Sequence, residues 1–421
     1  MKNPRKNVGN ATLKYASETH ENEFAFFVQF RVFSGPNQGM SSMKKIAQIL
    51  ATLFCISAIA FSQHVEIKEE QRWIKTYPYS DPNPTAFRMI NRHIYPYFSY
   101  DGYSHKSEEQ QWTVVTLKND DIKLFILPQV GGKIWGAIEK STDKEFIYLN
   151  NVLKFRNIAM RGPWTSGGIE FNFGLIGHSP WSASPVDYVI QHNEDGSVSC
   201  IIGAMDLSAR TQWRVKISLA PDKAWFKTEV LWYNPTPFNT SYYHWMNGAF
   251  QASNDFQLIY PGNYNIGHGG RAGSWPLDES GRDISLYKNN KFGPDKSYHV
   301  INKYTEFSGG YWHESDFGFG HWGYYDDLPG QKFWMWSLAR QGAIWEDLLT
   351  DDDGQYTEIQ MGRMLNQASE NSGYETPFTQ YPFAPYTTDS WSGIWFPYKN
   401  IKGMKDASPY GVMNVTKMVM K

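Results

Sequence analysis

Between residues 213 and 219, apolar Trp213, Val215, Ile217 and Leu219 alternate with Arg214, Lys216 and Ser218. That period of two is the pattern of a half-buried β-strand. Ile122, Leu124 and Ile126 repeat it around Lys123 and Phe125, and Pro128 with Gly131-Gly132 supplies the turn that follows. Further strands are predicted at 133–139, 144–149, 197–205, 224–232, 310–319, 332–338 and 355–361. Turn-forming clusters separate them, among them NEDGS (193–197), DESGRD (278–283) and DDDG (351–354). No long window keeps a 3.6-residue period, so residues 111–400 predict an all-β domain, a large antiparallel sandwich or barrel. Absence of a fixed-length repeat argues against a propeller. The Gly-, Asn- and Tyr-rich stretch 262–300 reads as a long excursion over one face.

The alternation fails at the N-terminus. Residues 43–63, MKKIAQILATLFCISAIAFSQ, place two lysines before an apolar run from Ile46 to Phe61 and close on small residues. The run is too short for an ordinary membrane span, so 43–62 reads as a secretory signal peptide, with a membrane anchor as the competing reading. Such a leader starts at the initiating Met, which makes Met43 the expected start and 1–42 upstream sequence or a mis-called start. Cys55 follows Phe54 rather than a small residue, which disfavours lipid attachment. Residues 63–110, including the turn-rich YPYSDPNPTAF (77–87), are expected to form an N-terminal extension packed on the main domain. Residues 401–421 read as a run-on whose abrupt stop suggests a truncated C-terminal module.

Composition narrows the function classes. Aromatic residues make up 16% of the 421 residues and charged residues only 19%, the opposite of a disordered chain. A net charge of −2 and the lack of a basic stripe exclude a nucleic-acid partner. Past the leader the single cysteine is Cys200, too few for a disulfide framework or a cysteine metal site. A disulfide-free exported chain suits a bacterial periplasm, cell surface or extracellular location, with no stable membrane span once the leader is removed. P-loop, GxGxxG, HExxH and GxSxG motifs are missing and no His pair has ligand spacing. No cofactor and no metal are predicted, although residues distant in sequence could still assemble a metal site.

Three stretches carry candidate chemistry. In QYTEIQMGR (355–363), strand alternation sends Tyr356, Glu358 and Gln360 to one face, with Arg363 just beyond. Glu358 is either an ordinary solvent-facing strand residue or a carboxylate aimed into a cleft. In NPTPFNTSYYHWMNGAF (234–250), His244 lies among aromatics with Asn247 close by. It is either a proton-transfer group or a packed core histidine. In RGPWTSGGIEFNFGLIGHSPW (161–181), Arg161, Trp164, Glu170 and His178 gather around a Gly-rich loop. Polar groups beside Trp and Phe rings are what sugar recognition requires, and a structural strand and turn is the plainer alternative. Asp389 and Trp391 in TTDSWSGIWF (387–396) are weaker candidates.

GGKIWGAIEKSTDKEFIYLN, MRGPWTSGGIEFNFG and TDSWSGIWFPYKN resemble the DUF5107 domains of secreted Bacteroidetes-type proteins, a group with a galactose mutarotase-like β-supersandwich. The resemblance covers about residues 110–400 and implies an all-β, large antiparallel β-supersandwich. Residues 234–250 are similar to the Asn-x-Thr…His segment of aldose 1-epimerases, and YTEIQ to the late strand that carries their Glu-x-Gln base. The resemblance implies Glu358 as the base and His244 as the acid. Substrate-binding roles are then expected for Arg161, Trp164, Glu170, His178, Asn247, Tyr356, Gln360, Arg363, Asp389 and Trp391. The loop 161–181 departs from the epimerase pattern, and family members with helical repeats after the sandwich run longer than this chain.

The expected partner is a carbohydrate. One reading is anomer exchange by a Glu358/His244 acid-base pair. A second is glycoside cleavage by Glu358 with Glu170 or Asp389. The third is a non-catalytic glycan-binding module. Secretion favours work on polysaccharides over simple anomer exchange.

Overall fold

The computed structural model describes residues 64–81, 98–158, 162–174, 177–206, 209–267, 271–364 and 382–415. The leader at 43–62, the sequence before it, part of the 63–110 segment, Arg161 and the last six residues lie outside the described residues. Val65–Lys421 forms one compact unit.

The first strands are β1 (Glu66–Tyr77), β2 (Glu108–Lys118), β3 (Ile122–Leu127), β4 (Lys133–Glu139) and β5 (Ile169–Gly174). A meander of β6 (Asp187–His192), β7 (Val198–Met205), β8 (Gln212–Leu219) and β9 (Phe226–Tyr233) follows. Next come β10 (Tyr243–Gln251), β11 (Phe256–Ile259), β12 (Asp295–Ile301), β13 (Phe307–Trp312), β14 (Phe317–Trp322) and β15 (Gly330–Trp336). A ten-residue helix α1 (Arg340–Leu349) precedes β16 (Tyr356–Gly362) and β17 (Thr388–Lys399).

Two sheets stack face to face. The larger runs from two short edge strands, Ala272–Ser274 and Tyr264–Ile266, through β12, β15, β16, β10, β5, β4, β3, β2 and β1 to Leu153–Lys154. The smaller has the order β6, β7, β8, β9, β17, β14, β13, β11. Pairing is antiparallel apart from the contact of Thr76 and Tyr77 with Leu153 and Lys154. The core fills the space between the sheets: Phe171, Phe173, Met246, Phe250, Ile359 and Met361 from one meet Trp213, Val215, Trp232, Phe319, Trp391 and Trp395 from the other. This is a large antiparallel all-β sandwich, one of the two architectures that the alternation left open and the one that the resemblance implied.

Burial distinguishes ordinary strands from unusual ones. β8 buries Trp213, Val215, Ile217 and Leu219 while its alternate residues stay more accessible, as a strand covered on one face must. In β5, β10 and β16 both faces are buried, the last residue of β10 excepted. The centre of the larger sheet is therefore covered on its outer side too, by Tyr148, Ile158 and Trp164 and by Trp345, Leu348 and Leu349 of α1.

The structure redraws three segments. Residues 66–77 are a full sheet strand, paired with β2 from Glu66↔Lys118 to Thr76↔Glu108, rather than an extension lying on the domain. The single strand expected at 310–319 is the hairpin β13–β14, turned at Asp316, whose φ of 45° breaks an extended run. The stretch 262–300 supplies the edge of the larger sheet as well as crossing loops, with β12 paired to β15. Among the described residues no helix is long and apolar enough to cross a membrane.

Candidate functional site

β10 is the axis of the site. It pairs with β5 on one side, Asn247 opposite Glu170, and with β16 on the other, Asn247 opposite Gln360 and Ala249 opposite Glu358. β15 extends the row with Lys332 opposite Gln360 and Trp334 opposite Glu358. Residues directly opposite on antiparallel strands share a face. Glu170, Asn172, Trp245, Asn247, Glu358, Gln360, Lys332 and Trp334 thus occupy one face of the larger sheet, the one turned away from the core.

Glycines make this face possible. Gly168, with a φ of +66°, brings the chain so near β4 that a Cβ there would lie 2.1 Å from the Ile134 carbonyl oxygen. The tight turn carries the chain from Trp164 back to Glu170, where the indole Nε1 donates to the carboxylate. Gly362 leaves room for the ring of Trp245, which a Cβ would meet at 2.4 Å. The Lys332 ammonium lies 5.5 Å from the centre of that ring.

The two carboxylates have different surroundings. Glu170 is saturated: Asn172 Nδ2 at 2.9 Å and Asn247 Nδ2 at 2.7 Å donate to Oε1, His178 Nδ1 meets the same oxygen, and Trp164 donates to Oε2. Burial pushes its pKa up, but His178, Lys133 and the hydrogen bonds outweigh that and hold it at about 2. Glu358, 4% exposed, accepts one amide hydrogen bond, from Gln360 Nε2. Burial raises it to about 6, with Glu170 adding to the rise and His178, Gln360 and Lys332 opposing it.

Two lysines are buried in the same field. Lys133 donates to the carbonyl and hydroxyl of Thr165, the latter at 3.0 Å, and burial lowers it to about 8 against the pull of Glu170 and Glu358. Lys332, 2% exposed, is lowered by burial to about 7 against Glu358 and Asp295. Asn247 and Gln360 each spend their NH2 on a carboxylate, which leaves the buried oxygens Asn247 Oδ1 and Gln360 Oε1 with no partner. Orphaned buried acceptors are costly and suit a ligand that brings hydroxyl donors. An aromatic wall flanks them: Tyr356 stacks on Tyr148 at 5.8 Å, and Trp336 bridges Trp334 and Trp345 at 4.4 and 4.3 Å. Among the described residues no group of three or more His, Cys, Asp or Glu side chains could hold a metal ion.

The candidates read from the sequence fall into two groups. Glu358, Glu170, His178, Trp164, Asn247, Tyr356 and Gln360 gather on the outer face. His244 does not join them. It lies opposite Phe173, so alternation along β10 turns it inward with Met246 and Phe250. There it is fully buried, 4.5 Å from the rings of Phe173 and Trp391, and burial with nearby Arg363 pushes it well below the usual histidine range. Glu358 and His244, expected as base and acid on opposite sides of one sugar, lie on opposite faces of the sheet. Arg363, Asp389 and Trp391 also sit on the inner side. Arg363 grips Asp389 through two hydrogen bonds of 2.9 Å and packs 5.0 Å over Trp391, joining the two sheets.

The fold adds Lys332, Lys133, Asn172, Trp245 and Trp334 to the site. For Lys332 and Trp334 the signal was present in GQKFWMW, where they share a strand face with Trp336. Lys133 opens β4 just before Ile134, which pairs with Ile169 of β5, so a strand pairing that no local pattern announces sets it beside Glu170.

Residues 90–398 match the model of a family described as a domain of unknown function, DUF5107. A TPR-domain containing protein from Parabacteroides distasonis ATCC 8503 is similar in structure, with a TM-score of 0.71 and 23% identity over 85% of this chain. The chain spans 58% of that protein's length. A candidate aldose 1-epimerase from Klebsiella pneumoniae subsp. pneumoniae MGH 78578 superposes with a TM-score of 0.52 and 10% identity, over 69% of this chain and 80% of that one. At these identities the likeness is one of fold.

Proposed function

The chain belongs to the DUF5107 family, and on that premise we propose that it binds a sugar on the outer face of the larger sheet and exchanges its anomers, with Glu358 as the base. The observation that carries this reading is the pair Asn247 and Gln360: both amides are tied to carboxylates and both offer an unpartnered oxygen to hydroxyl donors. Trp334, which is only half-buried, provides aromatic surface for the apolar face of a pyranose. Glu358, near 6, is largely ionised at neutral pH yet basic enough to take the proton of an anomeric hydroxyl. As that proton leaves, the bond from the anomeric carbon to the ring oxygen breaks and the ring oxygen takes up a proton, giving the open-chain aldehyde. Rotation and reclosure yield the other anomer.

The raised Glu358 and lowered Glu170 also suit glycoside cleavage, in which two carboxyl groups are pushed apart in acidity. Glu170, fastened by four partners, is a poor nucleophile, so anomer exchange is the better-supported reaction. Export, read from the leader at 43–62, adds a role in handling sugars released from polysaccharides outside the cytoplasm.

The test is polarimetry with freshly dissolved α-D-glucose and α-D-galactose, beside reducing-end assays on a polysaccharide panel. Faster mutarotation supports the reading. Reducing ends without faster mutarotation would favour cleavage. Silence in both, with sugar still protecting the fold against heat, would leave a binding module.

A further inference from the structure

Anomer exchange needs an acid for the ring oxygen as well as a base for the anomeric hydroxyl. Both oxygens are bonded to the same carbon, so the two proton-transfer groups must be near neighbours. Glu358 on β16 has such a neighbour on the next strand. Lys332 lies opposite Gln360, two residues from Glu358 along the same face, and Trp334 lies opposite Glu358 itself. Diagonal positions of this kind are about 7–8 Å apart at the backbone, within reach of a long side chain. His178 also acts on Glu358, but its Nδ1 already meets the Glu170 carboxylate.

We propose that Lys332 is the acid: its ammonium protonates the ring oxygen while the Glu358 carboxylate takes the anomeric hydroxyl proton. This rests on the anomer-exchange reading. In ring opening, a proton moves from Lys332 Nζ to the ring oxygen, the bond between that oxygen and the anomeric carbon breaks, and the anomeric oxygen becomes a carbonyl as its proton passes to Glu358. Ring closure runs in reverse, with neutral Lys332 taking the proton back and the Glu358 carboxyl returning its own. Nothing is oxidised or reduced, and both side chains end as they began.

The surroundings suit an ammonium that must give up a proton near neutrality. Lys332 is buried against the Trp245 ring, and burial brings it to about 7, close to Glu358 at about 6. Proton exchange between groups so matched is nearly balanced in either direction, as a reversible reaction requires. A permanently charged arginine at this position would hold the ring oxygen but not release a proton.

The experiment compares wild type, Lys332→Met, Lys332→Arg and His178→Asn by polarimetry across pH, with sugar protection against thermal unfolding measured in parallel. Both Lys332 variants should lose at least about 10²-fold in kcat while the sugar still protects them. Failure of arginine to rescue separates proton transfer from a merely structural charge. A Lys332→Met enzyme that keeps kcat within about threefold and keeps the alkaline limb would overturn the proposal, as would loss of that limb in His178→Asn instead. Should the Lys332 variants not fold, a wild-type kcat that stays flat through the titration of Lys332 overturns it. An inactive wild type sinks the anomer-exchange reading itself, whereas an active wild type with an active Lys332→Met sinks only the lysine assignment.

Discussion

His244 and Glu358 stand on adjacent hydrogen-bonded strands but on opposite faces of the sheet: His244 lies opposite Phe173 in the core, and Glu358 opposite Ala249 on the outer face. The histidine is walled in by Phe173 and Trp391, while the carboxylate shares a buried polar field with Glu170, Lys133 and Lys332. Changes at the two residues should therefore have different consequences.

Replacing Glu358 by Gln removes the base and keeps the volume. The expected result is a fall in kcat of about 10²- to 10⁴-fold with a melting temperature close to wild type. Polarimetry and thermal denaturation on the same samples check this; full retention of activity would remove Glu358 from the reaction.

Replacing His244 by Leu should do the reverse. An uncharged, fully buried ring gives way to an apolar group of different shape, with a stability cost of about 1–3 kcal/mol from imperfect repacking. The loss in kcat should stay well below the roughly 10²-fold that removing a proton donor brings. A large kcat loss with an altered pH profile would restore His244 to the chemistry.

Glu170 gives a pH dependence. It sits at about 2 in the fold against an ordinary 4.5, so between those values the unfolded chain binds more protons than the native one. Its contribution to stability is complete above about pH 4.5 and is lost as pH falls toward 2. The melting temperature should drop through this window, and less steeply in Glu170→Gln, as scanning calorimetry over pH can show.

Arg363 and Asp389 tie the sheets together, with side chains only 15% and 20% exposed. Breaking the pair with Asp389→Asn should cost up to about 3 kcal/mol, since it leaves a largely buried guanidinium with Asp327 as its remaining carboxylate partner. Because the pair lies on the core side, the pH optimum of any sugar reaction should not move. Denaturant melts and a pH-rate profile test the two halves separately.

Gly362→Ala tests the packing under the site. Its Cβ would meet Trp245 at 2.4 Å, so the indole must shift, at a cost of about 1–3 kcal/mol. Trp245 also covers Lys332, so a displaced ring should raise the alkaline limb of the pH profile toward that of an ordinary lysine.

Local pattern made much of this protein legible. Alternation along 213–219 requires one buried face, and TEIQ must send Glu358 and Gln360 the same way because successive strand residues point oppositely. The same rule, applied to YHWMNGAF, already puts His244 and Asn247 on different faces. What it does not say is which face meets the second sheet. That was decided by pairing: Asn247 stands opposite both Glu170 and Gln360, from segments 77 and 113 residues away in the chain, and a slip of one residue would send the two carboxylates to opposite surfaces. Lys133 and Lys332 became part of the site in the same way. A lysine in a strand is ordinarily solvated, and nothing in its neighbours' identities reveals that loops, a helix and a tryptophan from other parts of the chain will take the water away. Residue types and periodicity determined the strands and the candidate carboxylate; register and burial, which depend on partners distant in sequence, decided its neighbours and its acidity.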